Sequence, residues 1–275
     1  MDTSSKQLLA SSPEFHGTAP TSAHAEGCSV ISDIGAGRPV LLLHGGGGVA
    51  TVAGLSQALG ATRRVLMPTH PGFDGTPRPA HLDSVAALAR TYVALLETLD
   101  LRDVVVIGSS IGGWVAAEMA AFDARRVRAL VLLNQVGIDV PGEPVMDVSA
   151  LSRPELIRLA SHNPDLMMAN APPATPERMA TLASNAAALA AYDQGAAMMA
   201  PGLRERLADI TVPALVLWGE SDGIATQAYG KVYASAFAKG SFELIREAGH
   251  LPHVEQAACV LKHIDSFFDE LAKSA

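Results

Sequence analysis

Val104-Val105-Val106-Ile107-Gly108-Ser109-Ser110-Ile111-Gly112-Gly113-Trp114 decides the fold. The apolar run 104–108 reads as a buried strand, and the pattern from Trp114 to Phe122 reads as a helix. Between them Gly108-Ser109-Ser110-Ile111-Gly112 matches G-x-S-x-G. Strand, sharp turn and helix in that order lift a serine hydroxyl above a sheet edge, at a helix N-terminus. Glycines two before and two after the serine leave room for the strained turn.

Outward from this stretch, strands and helices alternate. Runs 29–34, 40–43, 64–68, 103–108, 129–133, 214–218 and 242–246 predict strands. Run 40–43 is wholly apolar, as suits a parallel strand buried on both faces. Helices are expected at 52–59, 84–99, 111–122, 226–237 and 255–271. In the second of these, Leu82, Val85, Leu88, Tyr92, Leu95 and Leu99 recur at helical spacing, with Asp83 as the expected N-cap. Repeated β-α units predict an α/β fold: a mostly parallel sheet of eight strands or near that number, with helices on both faces. Residues 1–27 read as a flexible tail or weak first strand, and 28–138 with 206–275 as the core.

Residues 139–205 break the rhythm. They contain 8 of the 17 prolines and 6 of the 9 methionines, and no apolar strand run. They read as short helices inserted at the carboxyl end of the sheet, as a cap over the site. Met146, Met167, Met168, Met179, Met198 and Met199 offer an adaptable apolar surface, although packing between cap and core is the expected role of most of them.

Composition narrows the function. Apolar residues make up 49% of 275, enough for a sizeable core. A net charge of −8 argues against nucleic-acid binding. Cys28 and Cys259 are expected to be free thiols in a reducing, cytoplasmic setting. No signal peptide, membrane span or Cys/His metal spacing is read. No cofactor is expected, and the sequence is silent on oligomeric state.

A serine hydroxyl becomes a nucleophile only beside a base that a third group orients. The acid is placed at Asp222, in Gly219-Glu220-Ser221-Asp222-Gly223 after strand 214–218, with Glu220 as rival. Asn134, at the end of the preceding strand, cannot serve as the carboxylate. The base is placed at His250, in Gly249-His250-Leu251-Pro252-His253 after strand 242–246, with His253 as rival and a structural role preferred for it. Oxyanion donors are expected at the Ile111 N–H and in the glycine loop His44-Gly45-Gly46-Gly47-Gly48. Gly46 is chosen there, with Gly45 and Gly47 as alternatives, and His44 is expected to tie the loop down. Gly45, Trp114, Met146 and Met167 are candidate substrate contacts, with packing the preferred role for Trp114.

The glycine loop, Pro71-Gly72-Phe73, the serine motif, Leu217-Trp218-Gly219-Glu220-Ser221-Asp222 and Gly249-His250, in this order, resemble the α/β-hydrolase superfamily over about residues 29 to 271. More narrowly they are similar to its small capped esterases and carbon–carbon-bond hydrolases. The resemblance implies acyl transfer to water on a small to medium apolar ester, thioester or lactone. The alternatives are carbon–carbon cleavage of a β-diketone-like substrate, acyl transfer to another acceptor, and a slow ligand-binding homologue. Four positions depart from the pattern. Ser109 stands where the carbon–carbon-bond hydrolases have Asn. Gly47 and Gly48 stand where they favour proline in the glycine loop. Asp74 stands where the family more often has Gly.

Overall fold

A computed structural model of the chain describes residues 30–274. The expectations for residues 1–27, for Cys28 and for the start of the first strand at Ser29 lie outside these. From Val30 onward the chain forms β1 (Ile31–Ile34), β2 (Pro39–Leu43), α1 (Ala53–Gly60), β3 (Arg64–Pro68), α2 (Val85–Thr98), β4 (Val104–Ser109), α3 (Ile111–Phe122) and β5 (Val127–Leu133). Four helices follow: α4 (Arg153–Ala160), α5 (Pro164–Ala169), α6 (Pro176–Asp193) and α7 (Leu203–Leu207). β6 (Ala214–Gly219), α8 (Gln227–Ala236), β7 (Gly240–Ile245), the short α9 (Pro252–Glu255) and α10 (Ala257–Lys273) close the fold.

Among the described residues, seven strands form one sheet in the order β1-β3-β2-β4-β5-β6-β7. Only β1 runs antiparallel, against β3. Strand side chains alternate between two apolar layers. Leu41, Val106, Leu132 and Val216 face a layer closed by α2, α3 and α8. Leu42, Ile107, Val131 and Leu217 face one closed by α1 and α10. Burial on both faces is what the unbroken Val, Ile and Leu runs encode. After β2 the chain crosses to β3 on one side, whereas β4 lies on the other. Loops leaving β2 and β4 therefore diverge, and the crevice between them is where such sheets hold ligands.

The cap of α2 differs from the expectation of Asp83. Ser84 is the N-cap, and its hydroxyl accepts from the Ala87 N–H at 3.2 Å. Asp83 instead offers its carbonyl to the Gln194 side chain.

The inserted helices start at clear signals. Ser152 and Glu155 form a capping box on α4, Asn163 caps α5, and Thr175 caps α6. Each has a proline in its first turn, where a missing N–H costs nothing. None of the six methionines of this segment is buried. Met198 packs against the main apolar layer, whereas Met146 and Met179 are 49% and 46% exposed. Met167, Met168 and Met199 are half-buried.

Candidate active site

Ser110 sits between β4 and α3 at φ 55°, ψ −121°. Such backbone is costly for any residue with a Cβ, of order 1–3 kcal/mol, and the surroundings must impose it. They do so by close packing. A Cβ at Gly108 would strike the Gly112 carbonyl, and one at Gly112 would strike the carbonyls of Leu43 and His44. The Ser110 N–H is held by the Leu133 carbonyl at 2.9 Å. The hydroxyl consequently stands at the carboxyl edge of the sheet. Ile111 opens α3, and the first N–H groups of a helix have no intrahelical acceptor.

Three loops converge there. His250 Nε2 lies 3.0 Å from Ser110 Oγ, and its Nδ1 lies 2.9 Å from Asp222 Oδ2. A carboxylate only accepts, so Nδ1 carries the hydrogen and Nε2 is free to take the serine proton. Asp222 and His250 are 7% and 6% exposed, which keeps water from competing for these bonds. Asp222 is itself fixed on both oxygens. Oδ1 accepts from the Ile224 N–H at 2.8 Å, and Oδ2 also accepts from Asn134 Nδ2 at 2.7 Å. Asn134 Oδ1 in turn accepts from the Gly219 N–H at 3.1 Å. Asn134, set aside in the sequence because it carries no charge, thus orients the carboxylate as an amide donor. Its φ of 45° is a conformation that Asn adopts more readily than most residues.

The glycine loop runs beside the serine. A Cβ at Gly45 would lie 3.2 Å from the Ser110 Cβ. Two buried histidines hold this loop. His44 Nδ1–H donates to the Gly45 carbonyl at 2.7 Å, and its Nε2 accepts from the His70 N–H at 3.0 Å. His70 Nε2–H donates to the His44 carbonyl at 3.0 Å, and its Nδ1 accepts from the Tyr92 hydroxyl. Each ring thus uses one nitrogen as donor and one as acceptor, which requires the neutral form. Burial pushes His44 down to about 4 and His70 well below its ordinary value. His253, whose Nε2–H donates to the Thr51 carbonyl, is also pushed down to about 4 by burial.

These shifts predict a loss of stability in mild acid. The unfolded chain takes up protons below about pH 6.5, whereas the folded chain keeps these rings neutral to about pH 4. The stability is present above pH 6.5 and falls with pH toward 4. Between pH 7 and pH 5 the loss is about 2 kcal/mol for His44 and about the same for His253. Urea unfolding at the two pH values measures it, and equal unfolding free energies would refute it.

The sequence pattern described as the alpha/beta hydrolase family matches residues 40–260. The chain belongs to this family. It is 26% identical to a 2-hydroxymuconate semialdehyde hydrolase of Pseudomonas sp. (strain CF600), over 89% of this chain and 92% of that one. An esterase structure from Thermogutta terrifontis superposes with a TM-score of 0.71 at 24% identity, covering 88% of this chain and 93% of that one. A meta-cleavage product hydrolase from Pseudomonas fluorescens IP01 superposes with a TM-score of 0.71 at 19% identity, covering 88% and 94%.

The remaining candidates of this alpha/beta hydrolase fall in several places. Glu220 is exposed and accepts from the Glu247 N–H at 3.2 Å, so it does not meet His250. His253 is buried on α9 and bonds the glycine-loop side of the site through Thr51. Trp114 is 3% exposed with Gly137 packed on its ring, which makes it a core residue. Met146 lies at the surface, its N–H on the Ile224 carbonyl, and Met167 is half-buried on α5. Gly46 faces α6, where a Cβ added to it would lie 3.1 Å from Leu189 Cδ2. The sequence did not single out Leu189, because its position depends on how α6 seats. Among the described residues no group of three His, Cys, Asp or Glu side chains could hold a metal ion, and no helix is long and apolar enough to cross a membrane.

Proposed function

We propose that the protein is a serine hydrolase that cleaves a small to medium apolar carboxylic ester, thioester or lactone through an acyl-enzyme. The observation that carries this is the unbroken relay Ser110 Oγ, His250, Asp222, at 3.0 and 2.9 Å. Ser110 attacks the carbonyl carbon while His250 Nε2 takes its proton. Asp222 holds the imidazole tautomer and stabilises the imidazolium. The Ile111 and Gly46 amides are the donors assigned to the oxyanion, a pair of which each member is worth about 3 kcal/mol. His250 then protonates the leaving alcohol, and afterwards takes a proton from the water that releases the acid. No step calls for a cofactor. Helices α4–α6 act as the cap, with residues 139–205 as its span.

A second reading is hydrolysis of a carbon–carbon bond in a β-diketone-like substrate. It is favoured by the full-length similarity to 2-hydroxymuconate semialdehyde hydrolases. The two separate on parallel assays: a p-nitrophenyl ester series from acetate to decanoate, and bleaching of 2-hydroxymuconate semialdehyde. Turnover of the esters at least about a hundredfold faster, with a burst equal to the enzyme concentration, supports the ester reading. Bleaching without ester turnover supports the second, and neither would overturn both.

Leu189 tests the pocket assignment. Its side chain covers Gly46, so Leu189→Ala should move the chain-length optimum upward by about three carbons, the volume of the removed groups. An unchanged optimum would place the acyl chain elsewhere.

A further inference from the structure

We propose that Asp74 is a positioning residue: it fastens helix α6 to the glycine loop, so that seating the inserted helix and setting the Gly46 donor are one event. This rests on the assignment of Ser110 as nucleophile and Gly46 as oxyanion donor. Asp74 follows Phe73 in the loop after β3, at φ 51°. Its Oδ2 accepts from the Val49 N–H at 2.9 Å, at the end of the glycine loop. Its Oδ1 accepts from Asn185 Nδ2 at 3.0 Å, and its own N–H donates to Asn185 Oδ1 at 2.7 Å. Asn185 lies on α6 and is 1% exposed.

The loop is shaped to admit this clasp. Gly48 has φ 83°, and a Cβ there would strike both Asp74 oxygens and Asn185 Nδ2. Gly48 also donates its N–H to the Gly45 carbonyl at 3.1 Å, which closes the turn that holds Gly46. On the helix, Leu189 stands one turn beyond Asn185 and so on the same face. The clasp therefore fixes both what lies under Gly46 and what lies over it. Ser184 and Tyr192, also on α6, donate to the carbonyls of Gly72 and Pro71 at 3.2 and 2.9 Å. These bonds reach only the loop after β3. His70 ties that loop to the start of the glycine loop through His44, and Asp74 carries the connection from Asn185 of α6 on to its far end at Val49. A carboxylate suits this place because it accepts on both oxygens, from a backbone N–H and from an amide NH2.

The test measures burst-phase acylation with p-nitrophenyl butyrate and thermal midpoint for Asp74→Ala, Asn185→Ala and their double variant, with Ser110→Ala alongside. Each single change should slow acylation about 10- to 100-fold, the range expected when a reacting group is displaced by about 1 Å. KM should change less than about threefold, and the double variant should be no slower than Asp74→Ala, because both remove one interaction. The exchanged pair Asp74→Asn with Asn185→Asp can remake all three hydrogen bonds and should restore acylation toward wild type, whereas each exchange made alone should not. This pair keeps the test decisive where an alanine variant fails to fold. Acylation within twofold of wild type in Asp74→Ala, or restoration of the midpoint but not of acylation by the exchanged pair, overturns the positioning role. If Ser110→Ala acylates as wild type does, the hydrolase assignment fails, and the Asp74 proposal falls with it.

Discussion

Ser110→Ala is expected to lower kcat on a p-nitrophenyl ester by about a million-fold while leaving the fold and KM nearly unchanged. Removal of the nucleophile from an otherwise intact serine site has an effect of this size, because the base and the acid act only through the serine. His250 would keep its bond to Asp222 but would have no hydroxyl within 3.0 Å to deprotonate. What remains, about 10³- to 10⁴-fold over the uncatalysed rate, comes from the oxyanion donors and from substrate binding. Stability should hold. Alanine keeps the Cβ that the turn already accommodates at φ 55°, and the Ser110 N–H still donates to the Leu133 carbonyl. Steady-state kinetics with active-site titration checks the result. A residual rate within tenfold of wild type, in preparations of equal thermal midpoint, would mean that His250 activates water directly. The acyl-enzyme would then be excluded.

Much of this site was legible because the sheet does the positioning. A run of Val and Ile ending in a small-residue turn marks where a parallel strand stops. The carboxyl ends of β2, β4, β6 and β7 supply the glycine loop, Ser110, Asp222 and His250 in that order. Helix α3 and strand β3 fall where the apolar pattern placed them, since burial on both sides leaves no freedom of register. Three things could not be read. Asn134 was visible at a strand end, but its partner stands 88 residues away and only the β5–β6 pairing joins them. Asp74 was visible as a departure, but its meaning depends on Asn185, 111 residues on, in a helix whose seating no local pattern fixes. Residues 139–205 read as short helices, but the bounds of those helices did not, because half-exposed alanines and methionines mark no clear ends. Their prolines, which look like breakers, are in fact first-turn residues of α4, α5 and α6.

Asp222→Asn should be the second most damaging change, lowering kcat by about 10⁴-fold with KM little altered. The reason lies in the number of acceptors. Asp222 now takes four hydrogen bonds: Ile224 and Ala225 N–H on Oδ1, Asn134 Nδ2 and His250 Nδ1–H on Oδ2. An amide has one oxygen. If it faces the two backbone donors, which cannot move away, its NH2 faces the imidazole, and Nδ1 must become the acceptor. The proton then sits on Nε2 and points at Ser110, the wrong tautomer for a general base. If it faces the imidazole, the NH2 meets two backbone N–H groups, at about 1–3 kcal/mol for each donor left unsatisfied. The first orientation is favoured, because the Asn134 side chain can turn away at the cost of its one bond to the Gly219 N–H. In either orientation no negative charge remains to stabilise the imidazolium. Asn134→Ala separates orientation from charge: the carboxylate keeps three of its four bonds, so kcat should fall only about tenfold, the worth of one hydrogen bond to a charged group. Measuring kcat against pH for both variants decides the matter. Equal losses would show that holding the carboxylate in place matters as much as its charge. A loss below about a hundredfold in Asp222→Asn would show that His250 is held in its working tautomer by something other than Asp222.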